Sequence, residues 1–158
     1  MTNTTGDDIA DALGLLLRRS TRARLHARLT DGLEAVDDLT YPVLSGLART
    51  GPRSAADLGR EVGLDRTTVT RRADHLERAG LLKRQPDPND GRATLLALSD
   101  DGHAVLAVTR RRLADAIEDS LATWPQADSL AFARLLRRFV DQGPFAFVDQ
   151  GPFAADHD

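Results

Sequence analysis

The stretch SAADLGREVGLDRTTVTRRADHLERAGLL, residues 54–82, decides how the rest of the chain is read. Ser54 ahead of Ala55-Ala56-Asp57 is a helix-start signal close to a capping box. The helix it opens runs to Val62, and Gly63 supplies a turn. Asp65 is a good N-cap, with Leu64 and Val69 at the two positions of a hydrophobic staple. A second helix then runs from Arg66 to Ala79 and stops at Gly80. Val69, Ala73 and Leu76 form its inner stripe at i, i+4 and i+7. The outward face offers Arg66, Thr67, Thr70, Arg71 and Asp74, with Thr68 and His75 at the edges. Two short helices joined by a glycine-containing turn present the start of the second to a DNA major groove. Arginine is the commonest bidentate partner of guanine, and threonine can reach a phosphate, a base edge or a thymine methyl. The helix N-terminus favours a phosphate as well. The same face would also describe a surface helix with solvated arginines, so its neighbours must decide.

The next segment argues for the groove. Residues 81–85 and 92–98 are strand-like, and the polar turn sequence PDPNDG, residues 86–91, lies between them. They read as a hairpin with a six-residue loop. Arg92 at the hairpin base can be aimed into a minor groove, which is narrow and electronegative in A·T tracts. Asp90 beside it can hold the guanidinium ready. Alternatively Asp90 is a turn residue and Arg92 an edge charge. Arg53 and Arg84 flank this element and join the candidate DNA-binding set. Helix and hairpin together make a reader of two grooves.

Outward from this centre the chain reads as helix. Residues 7–31 lack proline and carry Ile9, Leu13, Leu16, Leu17, Leu25 and Leu29 at helical spacing, which predicts one helix. Residues 39–48 form a short apolar helix with Pro42 tolerated in its first turn. Ser99 caps a long helix over 100–123 with Leu106, Leu113, Ile117, Leu121 and Trp124 on one stripe. Pro125 separates it from a last helix over 128–141 that carries Leu130, Leu135, Leu136 and Phe139. The fold class is mainly α with a small β-hairpin wing. The expected division is 1–48 for N-terminal helices, 49–98 for a winged lobe, 99–142 for C-terminal helices and 143–158 for a tail. Three amphipathic helices are more than the small centre can cover, so they ask for a partner surface or for packing within one chain.

Charge follows the same division. The net charge of −3 speaks against a general nucleic-acid coat. Residues 1–48 sum to −2, 49–92 to +3, 93–139 to zero and 140–158 to −4. The one net-positive block is therefore the helix–turn–helix and its wing. The chain has no cysteine, which excludes disulfide scaffolds, Cys-type zinc sites, iron–sulfur clusters and thiol chemistry. At 158 residues it can bury about 70% of the surface its unfolded form exposes, so it needs no such staple. The longest run without a charge, residues 39–48, is half of the roughly 20 residues a membrane span needs. The N-terminus has no basic start or long apolar run of a signal peptide, so a cytoplasmic chain is expected. His26, His75, His103 and His157 are widely spaced with no His-x3-His pair, and neither a metal nor a cofactor is expected. Phosphate-loop, HExxH and G-x-S-x-G elements are absent, so an enzyme is not expected.

Taken together, Ser54-Ala-Ala-Asp-Leu-Gly59, Leu64-Asp-Arg-Thr-Thr-Val-Thr-Arg71, Leu76-Glu-Arg-Ala-Gly-Leu-Leu82, Asp87-Pro-Asn-Asp-Gly-Arg92 and Leu98-Ser-Asp-Asp-Gly102 resemble the multiple antibiotic resistance regulator (MarR) family of winged helix–turn–helix repressors. The last motif carries serine where the family has threonine. The resemblance implies a homodimer whose terminal helices interlock. It implies double-stranded DNA as partner, with a pseudo-palindromic operator whose half-sites lie about 10 bp apart. It also implies release by a small aromatic or lipophilic effector, commonly anionic, held between the dimerisation helices and the DNA-binding lobe. Helices 7–31, 39–48 and 100–123 would line that cavity, with Arg22, His26 and Tyr41 as polar candidates. A His and a Tyr satisfied in the core are the competing explanation. The thiol-peroxide sensors of the family need a cysteine, so that subtype is excluded.

The alternative function is a winged-helix protein–protein module without specific DNA binding. One further feature stands apart: FVDQGPFA at 139–146 recurs at once at 147–154. Two copies of eight residues cannot stack as a solenoid. The second copy is expected to be an exposed extension, or else to lie in an apolar groove through Phe145, Phe147 and Phe153.

Overall fold

Residues 4–144 are described by a computed structural model, and they build seven helices and one two-stranded hairpin. The order is α1 (Thr5–Leu17), α2 (Arg19–Thr30), α3 (Tyr41–Thr50), α4 (Ala55–Val62), α5 (Arg66–Arg78), β1 (Leu82–Pro86), β2 (Thr94–Leu98), α6 (Asp100–Leu121) and α7 (Gln126–Gln142). The second repeat copy and its phenylalanines lie outside the described residues.

The centre forms as its punctuation dictates. The Asp57 N–H donates to Ser54 Oγ at 3.1 Å while that hydroxyl donates to Asp57 Oδ2 at 2.7 Å, so α4 starts on a reciprocal cap. Gly63 adopts φ +70° at the end of α4, a left-handed conformation that glycine takes at no steric cost. Gly59 serves the same turn differently. A Cβ there would lie 2.5 Å from the Leu64 carbonyl oxygen, so only a hydrogen lets the turn fold onto α4. α5 is then seated by Val69, Ala73 and Leu76, all fully buried. They pack with Val43, Leu44 and Leu47 of α3, Leu58 of α4 and Leu82, Leu96 and Leu98 of the hairpin in one hydrophobic cluster. Ser99 joins α5 to α6: its hydroxyl donates to the Gly80 carbonyl at 2.6 Å and accepts the Gly102 N–H at 3.0 Å.

β1 and β2 are antiparallel, with Leu82 opposite Leu98 and Pro86 opposite Thr94. Arg53 adds a bridge to Leu96 on the other side of β2, through a backbone bond in each direction. The connecting loop is 87–93, seven residues rather than the six expected. Pro86 ends the strand on an edge, where its missing N–H costs nothing to the ladder.

Several expected boundaries move. Residues 7–31 are two helices, because Arg18 takes φ −57° and ψ 135° and breaks the ladder between them. No Gly or Pro marks that break, so spacing alone could not register it. α3 begins at Tyr41 rather than Leu39, since the Asp37 carboxylate accepts the N–H groups of Leu39 and Thr40 and holds them in a turn. α6 ends at Leu121, and α7 starts at Gln126, directly after Pro125.

α2 is tied to α6 by one side chain. Arg112 Nη1 donates to the carbonyls of Leu29 at 2.9 Å and Asp31 at 2.7 Å, a cation on the C-terminal carbonyls of a helix. α1 and α7, by contrast, have no buried residue at all. They expose Leu15, Leu16 and Leu17 on one and Leu130, Leu135 and Leu136 on the other, each between 46% and 65% accessible. None of the described helices is long and apolar enough to cross a membrane.

Candidate nucleic-acid interface

The two sides of α5 divide sharply. Its buried stripe fixes the rotation of the helix, and Arg66, Thr67 and Arg71 are left exposed. Neither arginine forms an ion pair among the described residues, and the Thr67 hydroxyl has no partner there. The helix begins on Asp65, whose carboxylate accepts the Thr68 N–H at 2.9 Å and the Thr68 hydroxyl at 2.6 Å. Those two bonds hold the Asp65 carboxyl below its ordinary pKa. The Thr70 hydroxyl donates to the Arg66 carbonyl at 2.9 Å, one turn back. His75 is exposed at the far edge of the helix, near enough to Asp37 for its charge to be felt there. Burial pushes the Asp37 carboxyl up, but hydrogen bonds from Thr40 and Leu39, with that charge, outweigh it and leave the group below its ordinary pKa.

The wing is fastened to this helix by Arg84. Its guanidinium pairs with Asp74 through Nη2 and with Glu77 through Nε at 3.1 Å. Arg84 therefore fixes the angle between the wing and α5, and its charge is already spent on two carboxylates. Arg53 and Lys83 remain exposed beside it.

The loop is stiffened by its own aspartates. Asp87 Oδ1 accepts the Asn89 N–H at 2.8 Å, and Asp90 Oδ1 accepts the Arg92 N–H at 3.1 Å. Two Asx turns thus set the wing tip. Asp90 holds the backbone of Arg92 rather than its guanidinium, which is the turn-residue alternative of the two the sequence left open. The Arg92 side chain is exposed and makes no ion pair among the described residues.

A cleft of about 450 Å³ opens between α2 and the helices α3 to α5. Arg19, Arg22, Ala23 and His26 of α2 form one wall, with Pro42, Ser45 and Arg49 of α3 and Glu61, Val62 and Arg72 of α4 and α5 opposite. Two of the three residues expected here, Arg22 and His26, line it. Tyr41 does not, but its ring packs on His26 with centroids 4.8 Å apart. The long C-terminal helix, expected as a wall, gives no lining residue among those described. Burial and the neighbouring Arg22 lower the His26 pKa from its ordinary value, opposed by Asp38. Arg72 spans from α5 to the Leu39 carbonyl, and Arg49 pairs with Glu61 at 3.3 Å. Spacing gave no signal for Arg19, Arg49 or Arg72. Each looks like a solvated helix charge until the fold brings α2, α3 and α5 together. Among the described residues, no cluster of three or more His, Asp and Glu is placed to hold a metal ion.

Comparison with known proteins points the same way. The sequence model of the MarR family matches residues 36–93. The uncharacterized HTH-type transcriptional regulator YxaD of Bacillus subtilis is 29% identical over 133 residues, covering 82% of this chain and 91% of its own. The HTH-type transcriptional repressor NicR of Pseudomonas putida is 26% identical over 137 residues, covering 85% of each chain. The crystal structure of the PcaV transcriptional regulator of Streptomyces coelicolor, in complex with its natural ligand, is 31% identical with a TM-score of 0.51. It matches over 81% of this chain and 95% of its own.

Proposed function

This chain belongs to the MarR family of winged-helix, DNA-binding transcriptional regulators, and from that membership we propose that it is a homodimeric cytoplasmic repressor released from a pseudo-palindromic operator by a small ligand. One observation carries the reading. α5 is locked by its core stripe and by Arg84, while Arg66, Thr67 and Arg71 stand exposed and unpaired among the described residues. Such a surface has no structural use for its charges, and arginines beside a hydroxyl suit a major groove. Arg92, on a loop stiffened by two aspartates, reaches the flanking minor groove, and Arg53 the backbone.

Dimerisation accounts for the terminal helices. Six leucines exposed on two helices without a buried residue are costly in water, and a second copy covers them. Residues 1–48 and 99–142 then form the dimer, and 49–98 the reading lobe of each chain. The effector is a small aromatic or lipophilic anion in the cleft between α2 and the winged lobe. Four arginines, Arg19, Arg22, Arg49 and Arg72, line it against two carboxylates, Asp38 and Glu61, an excess of positive charge. A ligand acts only by favouring one lobe position over the other, and the Arg72 span from α5 to the Leu39 carbonyl is where it would do so. No catalytic step is part of this function.

Salt dependence tests the DNA reading against a protein-docking role for the same surface. The expected result is a steep fall of affinity for duplex DNA with rising salt, with a log–log slope of roughly −0.9 per phosphate contacted. A flat response would overturn it.

A further inference from the structure

Resting on the DNA reading above, we infer that Thr67 supplies the one threonine hydroxyl of α5 that is free to donate a hydrogen bond to DNA, and that Thr68 and Thr70 spend their hydrogens inside the helix instead. A hydroxyl carries a single one. The atoms DNA presents for a threonine to donate to are acceptors: phosphate oxygens, guanine O6 and N7, adenine N7 and thymine O4. A threonine hydroxyl donates to any of them only with a hydrogen to give.

Thr68 has given its hydrogen to Asp65 Oδ2 at 2.6 Å, and Thr70 to the Arg66 carbonyl at 2.9 Å. Turning either outward would forfeit that bond, and in the case of Thr68 would loosen the cap that starts α5. Both are also half-buried. Thr67 is exposed and its hydroxyl is uncommitted among the described residues. It stands four residues before Arg71, so the two share a face one turn apart. Hydroxyl and guanidinium therefore meet adjacent parts of the same groove. Helical spacing puts Thr67 and Thr70 on the same outward face with Thr68 at its edge, and the hydrogen bonds separate Thr67 from both.

The test uses the full chain and the duplex that the wild-type protein enriches from random DNA. Thr67→Val keeps the branched shape and removes the hydroxyl, Thr67→Ser keeps the hydroxyl, and Thr70→Val is the comparison. Each is first checked for unchanged helix content and melting temperature. Expected are a loss of affinity of about tenfold or more for Thr67→Val, since a dimer loses two bonds, and near wild-type affinity for Thr67→Ser and Thr70→Val. A Thr67→Val loss uniform over base-pair variants of the duplex supports the inference with a phosphate as acceptor; a loss confined to one base pair per half-site supports it with a base. Wild-type affinity in Thr67→Val, or an equal loss in Thr70→Val, overturns it. If the wild-type chain enriches no duplex, the DNA reading falls with it.

Discussion

Arg71 and Arg84 carry the same charge and do opposite things. Arg84 sits between Asp74 and Glu77 and is spent on geometry. Half-exposed pairs of this kind contribute only about 0.2–1 kcal/mol to stability, so its effect is on where the wing points rather than on whether the module folds. Arg71 has no such partner among the described residues and is held in place only by the helix beneath it. Replacing Arg71 by alanine is expected to cost about 1–3 kcal/mol of DNA affinity and to relax base preference at one position per half-site. Competition between duplexes differing at single positions measures this, and an unchanged preference would remove Arg71 from the base-reading set. The sequence distinguishes the inner stripe of α5 from its outer face without difficulty, because Val69, Ala73 and Leu76 keep helical spacing. It does not distinguish a reading arginine from a bracing one. That depends on Asp74 and Glu77 facing strand β1, a relation between residues ten and seven positions apart that only the packing of α5 beside β1 creates.

At the scale of elements, the winged module was legible because its signals are local: caps at Ser54, Asp65 and Ser99, turns at Gly63 and Gly80, and a polar loop before Arg92. What was not legible is long-range or unpunctuated. The break at Arg18 has neither Gly nor Pro. The Arg112 strap onto α2 joins residues more than eighty positions apart. The cleft arises from α2 lying beside the lobe, and His26 is its most informative group. Its pKa is lowered, chiefly by burial and then by Arg22, so the folded chain favours the neutral ring. The stability this contributes is complete above pH 6.5, the ordinary value, and is lost as pH falls through the lowered pKa. An NMR titration should place the His26 midpoint below 6.5, and an anion bound in the cleft should raise it. A midpoint at or above 6.5 without ligand would contradict the burial of this ring against Tyr41.

For the whole molecule, charge and apolar surface tell one story. In a chain of net charge −3, the block proposed to read DNA carries +3 and is set between flanks that are not basic. Nonspecific attraction is weak in such a chain, and affinity falls to a few placed groups. The flanks instead expose leucines along α1 and α7. Their amphipathic spacing announced this in the sequence, but not which surface covers them, since a partner copy leaves no mark on one chain. The central claim is that two copies present two recognition helices to successive major grooves. Selection of bound sequences from random DNA, at a stated salt concentration, tests it most directly. The expected result is an enriched pseudo-palindrome with half-sites about 10 bp apart. Enrichment of an isolated half-site, or of no sequence, would contradict it.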